Sequence, residues 1–295
     1  MNRQQMTDRI ASGQGFIAAL DQSGGSTPKA LRGYGIEEGT WNGDDEMFAL
    51  IHAMRSRIVE SPCFGNGKVL GAILFEKTMD GESGGRPVPD RLAERGIVPF
   101  LKVDKGLEDE ADGVQMMKPM PDLESLLARA KDKGVFGTKM RSVIKANDTA
   151  GIKAMVHQQF AEGARILAAG LMPILEPEYD ITAADRAEGE KVLLEAILEG
   201  LDALPEGQQV MLKLSIPAEA GLYAGLARHP KVLRVVALSG GYSTDEACEL
   251  LARNPGMIAS FSRGLLQDLR SGQSDDEFDA TLGAAIDRIH AASVA

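Results

Sequence analysis

Eight short apolar runs, separated by stretches long enough for a helix or a wide loop, constrain this chain more than any other feature. They read FIAALD (16–21), VLGAILF (69–75), IVPFLKV (97–103), VFGTKMR (135–141), LMPILEPE (171–178), VMLKLSI (210–216), VLRVVALS (232–239) and MIASFSR (257–263). Strands so continuously apolar need cover on both faces, which is the condition of a parallel sheet. Helical spacing is clear over 44–61, 149–170 and 183–204, and shorter helices are expected over 218–229, 243–254 and 276–292. Eight such units in 295 residues predict an α/β fold, a (β/α)8 TIM barrel, with a doubly wound open sheet as the alternative. No GxGxxG follows an early strand and no Pro/Gly-rich linker divides the chain, so a single domain over 1–295 is expected. Residues 22–43 and 77–96 are rich in glycine and proline and are expected to form extended loops after strands one and two, at the catalytic face of a barrel.

With 44% hydrophobic and 25% charged residues, the chain can build a sizeable core. Its formal net charge of -11 argues against general attraction to nucleic acid or an anionic membrane, so an anionic ligand would need a local basic site. Cys63 and Cys248 have no metal-ligand spacing and imply no disulfide framework. No signal-peptide core and no bilayer-length apolar run is present, which makes a cytoplasmic protein the expectation. His52, His157, His229 and His290 fall on or beside expected helices, poor places for a catalytic zinc.

Each expected strand stops at a distinctive residue: Asp21; Glu76 and Lys77; Lys102 and Asp104; Lys139 and Arg141; Glu176 and Glu178; Lys213; Ser239; Arg263. Strands often end in polar residues simply because they meet water. Spacing argues otherwise here, because Lys102/Asp104, Lys139/Arg141 and Glu176/Glu178 are each two apart and so share one pleat face. In a parallel barrel these ends converge on one rim, a balanced-to-basic mouth suited to a small anionic substrate.

Lys213 lies between Leu212 and Leu214, so if the leucines face outward the lysine faces the barrel interior. Lysine in its neutral form is a nucleophile toward carbonyls, and burial or nearby cations favour that form. Carbinolamine formation and dehydration also need an acid/base partner, a part the nearby glutamates can fill. The alternative is a structural lysine satisfied by a buried glutamate pair. Ser239-Gly240-Gly241 after strand seven and Arg263 after strand eight suit a barrel phosphate site, where glycine backbone N–H groups approach an anion closely.

The segments ALDQSGGS (19–26), ILFEKTM (73–79), LKVDKG (101–106), GTKMR (137–141), ILEPE (174–178), LKLS (212–215), LSGGYS (238–243) and FSRGL (261–265), in this order, resemble the class I (Schiff-base) fructose-1,6-bisphosphate aldolases, specifically the short bacterial form. The resemblance implies reversible, metal-independent cleavage of fructose 1,6-bisphosphate to dihydroxyacetone phosphate and glyceraldehyde 3-phosphate, with no cofactor. By match to the motifs, Lys213 would form the Schiff base, Glu176 would act as general acid/base and Glu178 would position groups beside the lysine. Asp21 would take the C4 hydroxyl proton, and Lys139 would polarise the C2 oxygen and keep Glu176 ionised. Lys102, Arg141 and Ser26 would bind the sugar and distal phosphate; Ser239, Gly240 and Arg263 would hold the C1 phosphate. The implied partner is a small phosphosugar, with homo-oligomers common in the family. The chain departs from the animal-type enzymes in three places. It ends IHAASVA without their C-terminal tyrosine, has no clearly aligned basic residue after the first-loop serine although Lys29 and Arg32 are near, and carries Ser262 where they have glycine. Two other readings are an aldolase preferring another phosphosugar, such as sedoheptulose 1,7-bisphosphate, and a non-catalytic phosphosugar-binding protein.

Overall fold

All eight apolar runs are parallel strands, in chain order around a barrel: β1 (Phe16–Leu20), β2 (Val69–Leu74), β3 (Val98–Lys102), β4 (Gly137–Ile144), β5 (Met172–Tyr179), β6 (Val210–Ser215), β7 (Val232–Leu238) and β8 (Met257–Ala259). The structure, a computed structural model, describes residues 1–23 and 25–295; Gly24, within the ALDQSGGS segment, lies outside the described residues. Parallel ladders join each strand to the next from β1 to β8. Among the described residues no ladder joins β8 back to β1, although the two strands lie side by side. This single-domain (β/α)8 barrel is therefore nearly closed, with one seam.

The pleat divides the core in two. Ile17, Val98, Phe100, Ile174, Met211, Val236 and Ile258 point inward as one buried cluster, while Leu212, Leu214, Leu175 and Val235 belong to the cluster between sheet and helices. Phe100 fills the floor. On the neighbouring strands a Cβ at Gly71 would meet its ring at 3.1 Å, and one at Gly137 would meet it at 2.9 Å and the Met172 carbonyl oxygen at 2.2 Å. We therefore expect Gly137→Ala to lower stability by about 1–3 kcal/mol, the usual cost of overpacking. Urea unfolding checks this, and an unchanged midpoint would mean that β4 and β5 can part to admit a methyl group.

The first helix, Arg3–Ser12, closes the barrel bottom by adding Met6 and Ile10 to the inner cluster. Asn2 and Gln5 form a reciprocal capping box at its start. Arg234 on β7 holds its end by donating to Ala11 O at 2.7 Å and Gly13 O at 3.3 Å.

The helices expected at 44–61, 149–170, 183–204, 243–254 and 276–292 form as Gly43–Glu60, Thr149–Ala168, Arg186–Ala203, Thr244–Ala252 and Asp275–Ser293. The helix expected over 218–229 does not; turns lead instead to one 3-10 turn, Leu226–Arg228. Gly221 has φ of 83° and Gly225 lies four residues on, a costly pair for a helix. Side chains satisfy the freed backbone, with Ala218 N–H donating to Glu190 Oε2 and Gly221 N–H to Asn254 Oδ1, both at 2.8 Å.

The two glycine- and proline-rich segments also contain regular structure. Thr27–Gly33 is helical in the first, while the second carries helices Glu76–Asp80 and Val88–Glu94 around a hairpin pairing Glu82–Ser83 with Arg86–Pro87. Glu76 and Lys77 therefore begin a helix instead of ending a strand into the mouth. Glu76 pairs with Lys105 and Arg129 and Lys77 with Asp45, and neither lines the cavity at the rim.

Candidate active site

A cavity of about 630 Å³ opens at the C-terminal ends of the strands. Asp21, Ser26, Lys102, Lys139, Arg141, Glu176, Glu178, Lys213, Ser239, Gly240 and Arg263, all singled out from the sequence, line it. Strand parity puts them there, because Asp21 continues the inward row of Ile17, Glu176 and Glu178 that of Ile174, and Lys213 that of Met211. None of the four histidines lines the cavity among the described residues.

At its base four side chains form a charge relay. Lys213 Nζ stands 2.9 Å from Glu176 Oε1, and Lys139 Nζ stands 2.9 Å from Glu176 Oε2 and 2.7 Å from Asp21 Oδ2. The Lys139–Glu176 approach lies off hydrogen-bond alignment, so it acts as a charge contact that leaves Glu176 Oε2 free of a directed donor. Lys139, Glu176 and Lys213 are 2%, 3% and 4% exposed, so water screens these charges little.

Burial alone would raise the Asp21 carboxyl, but Lys139, then Lys213 and Lys102, hold it well below the ordinary carboxylate range. The same contest leaves Glu176 lowered, with burial opposed chiefly by Lys139 and Lys213. Lys139 moves the other way, since Asp21, Glu176 and Asp104 outweigh the burial that would lower it. All three are charged at neutral pH.

A carboxylate lowered on folding contributes stability fully above its unfolded value, about 3.9 for Asp, and loses it as pH falls through the lowered folded value. A raised lysine contributes fully below about 10.4 and loses its contribution only in stronger alkali. We expect the stability difference between the native chain and Asp21→Asn to stay level from about pH 9 to 5 and shrink below about pH 4. Urea midpoints across that range check it; a difference that shrinks between pH 7 and 5 would contradict the ion-pair geometry.

Higher in the mouth, two cations are already paired. Lys102 Nζ donates to Asp104 Oδ1 at 2.6 Å and to Asp104 O at 2.9 Å. Arg141 Nε donates to Glu178 Oε2 at 2.5 Å. Asp104, 7% exposed, also accepts from the Arg141 backbone N–H at 3.2 Å and lies 4.0 Å from Lys139 Nζ, so this one carboxylate braces three bases.

Arg263 is freer, its guanidinium donating to Gly241 O at 3.5 Å. That contact brings the arginine against the SGG turn, where Gly240 and Gly241 have φ of 62° and 134°. The second value is a conformation open essentially to glycine alone, and a Cβ at Gly240 would stand 2.6 Å from Ile181. Lys29 lines the cavity from the short helix after β1, whereas Arg32 turns away to Glu38 at 3.0 Å. Among the described residues, six cationic side chains and three carboxylates thus line the cavity of a chain whose formal charge is -11. Such a mouth concentrates anions.

The sequence did not single out Gln22, which lines the cavity, or Arg55 behind it, although Arg55 sits on the apolar face of its helix beside Ile51, Met54 and Ile58. An arginine among core positions is the signal that could have found it.

Fold and site together define a (β/α)8 barrel with a buried lysine–carboxylate relay beneath a cationic mouth. A sequence model of the class I fructose-bisphosphate aldolase family matches residues 3–213, and the chain belongs to that family. Among solved structures, it is similar to a Plasmodium falciparum fructose-bisphosphate aldolase in complex with TRAP and a small-molecule inhibitor. The two share 20% identity and a TM-score of 0.74, over 99% of this chain and 94% of that one. A Corynebacterium glutamicum protein is similar at 15% identity and a TM-score of 0.51, over 98% of this chain and 92% of its own. At these identities both likenesses describe the fold.

Proposed function

We propose that this chain cleaves fructose 1,6-bisphosphate reversibly to dihydroxyacetone phosphate and glyceraldehyde 3-phosphate through a Schiff base on Lys213. The observation that carries this reading is Glu176 between two lysines, one oxygen 2.9 Å from Lys213 Nζ and the other 2.9 Å from Lys139 Nζ.

In the resting site Lys213 and Glu176 form an ion pair, so the nucleophile arises when Lys213 passes a proton to Glu176 as the ketone arrives. The amine nitrogen attacks C2, and one of its two protons passes to the former carbonyl oxygen, giving the neutral carbinolamine. Glu176 returns a proton to that oxygen, which leaves as water, and the protonated imine remains. Lys139 stays charged beside both carboxylates, polarising the C2 oxygen and favouring the ionised form of Glu176.

Asp21, held ionised, takes the proton of the C4 hydroxyl. The C3–C4 bond then breaks, its electron pair moves into the imine to give the enamine, and glyceraldehyde 3-phosphate departs. A proton returns to C3 and hydrolysis frees dihydroxyacetone phosphate. Ser239, Gly240 and Arg263 hold the C1 phosphate, and Ser26, Lys102 and Arg141 the distal end. Glu178 sets the direction of Arg141, and Lys29 is the further cation facing the cavity.

Incubation with dihydroxyacetone phosphate followed by borohydride should leave a reduced adduct on Lys213, seen by peptide mass mapping. Activity should persist in EDTA. Label on another residue, or cleavage lost to the chelator, would overturn the proposal.

A further inference from the structure

Arg55 is 1% exposed, and among the described residues its hydrogen bonds all go to neutral oxygens. A buried cation without a carboxylate partner is costly, and burial pushes its pKa down to about 10 against the opposing field of Asp21. Nη1 donates to Thr78 Oγ1 at 2.8 Å, while Nη2 donates to Gln22 O at 2.5 Å and Gln22 Oε1 at 3.1 Å. A guanidinium only donates, so it dictates which way the Gln22 amide faces. The amide nitrogen is thereby turned to Ala19 O at 3.1 Å and Ser262 Oγ at 2.5 Å.

Gln22 follows Asp21, and Ser262 precedes Arg263. Their hydrogen bond crosses the seam between β1 and β8, where no backbone ladder is present among the described residues. We infer that Arg55 is a positioning residue: by orienting Gln22 toward Ser262 it pins the barrel seam and sets the spacing of Asp21 and Arg263 across the cavity. The inference rests on the aldolase reading. The bridge couples the cleavage side of the site to its phosphate side: Gln22 and Ser262 line the cavity, and Arg55 acts on them from behind its wall.

The test is a double-mutant cycle of Arg55→Met and Ser262→Ala on the full chain, with kcat and KM for fructose 1,6-bisphosphate and a thermal melt for each protein. Either single change should lower kcat/KM by about 10- to 100-fold, the scale expected when reacting groups lose their alignment. KM should rise as well as kcat fall, and the double variant should be no worse than the poorer single one, because both break the same bridge. Arg55→Lys, which keeps the charge and loses the fork, should recover only part of the activity, and it replaces Arg55→Met in the cycle if that protein does not fold. Folded Arg55 variants with native kcat and KM, or losses that multiply in the double variant, overturn the inference. A native chain that neither turns over nor traps on Lys213 overturns the aldolase reading instead, whatever the variants do.

Discussion

Lys213→Met is expected to abolish aldol cleavage, with kcat falling about 10⁴-fold or more, because on the proposed Schiff-base route no other group replaces the covalent nucleophile. The methionine retains much of the volume, and Glu176 keeps Lys139 at 2.9 Å, so its charge is not stranded. The loss of stability should therefore fall short of the ~3–5 kcal/mol typical of a buried charge left alone. Phosphate-bearing ligands should still bind, since Arg263 and the SGG turn are unaltered, and the borohydride adduct should vanish. Steady-state kinetics with a ligand-induced thermal shift read both halves. Turnover that survives the change would show that the Schiff base is not the route, whereas loss of binding together with turnover would point to a collapsed site.

Glu176→Gln carries the second large effect, for a different reason. It preserves shape but removes the charge between two buried lysines. Lys139 retains Asp21 at 2.7 Å, while Lys213 loses the one carboxylate within ion-pair distance among the described residues. We expect kcat to fall by about 10²- to 10⁴-fold, the range for a missing acid/base group. Stability should fall too, by up to ~3–5 kcal/mol, as Lys213 becomes a buried charge without its partner. Rapid-quench trapping with borohydride separates the steps, because adduct should still form on Lys213, more slowly than in the native chain. Adduct formation at the native rate would mean that another group exchanges the proton and that Glu176 is chiefly structural.

These effects fall on residues that the sequence alone singles out, and the reason is local. Strand side chains alternate with period two, so LMPILEPEY already puts Glu176 and Glu178 on one face and VMLKLSI sets Lys213 opposite its leucine neighbours. Alternation with helices makes the strands parallel and brings their ends to one rim. Local pattern was misleading where special backbone or long-range partners decide. AEAGLYAGLARH has helical spacing, yet two glycines and the carboxylate of Glu190 draw it into turns. Glu76 and Lys77 look like strand ends, but surface partners carry them away from the mouth.

Which cations are spoken for was also invisible in one dimension. Lys102, Arg141 and Arg263 look alike in the sequence, and only the assembled rim ties the first two to Asp104 and Glu178 while leaving Arg263 against the SGG turn. Arg55 shows the same limit from behind the site, since its Gln22 contact spans 33 residues and the bridge from Gln22 to Ser262 spans 240.

By itself, then, the sequence determined the barrel, the face on which its charged strand ends converge, and the lysine and glutamates that line the cavity there, because periodicity and strand order are properties of neighbouring residues. Only the tertiary structure decided which charges neutralise one another, which remain open to an anion, and how the β1–β8 seam is bridged, because those depend on distances between residues far apart along the chain.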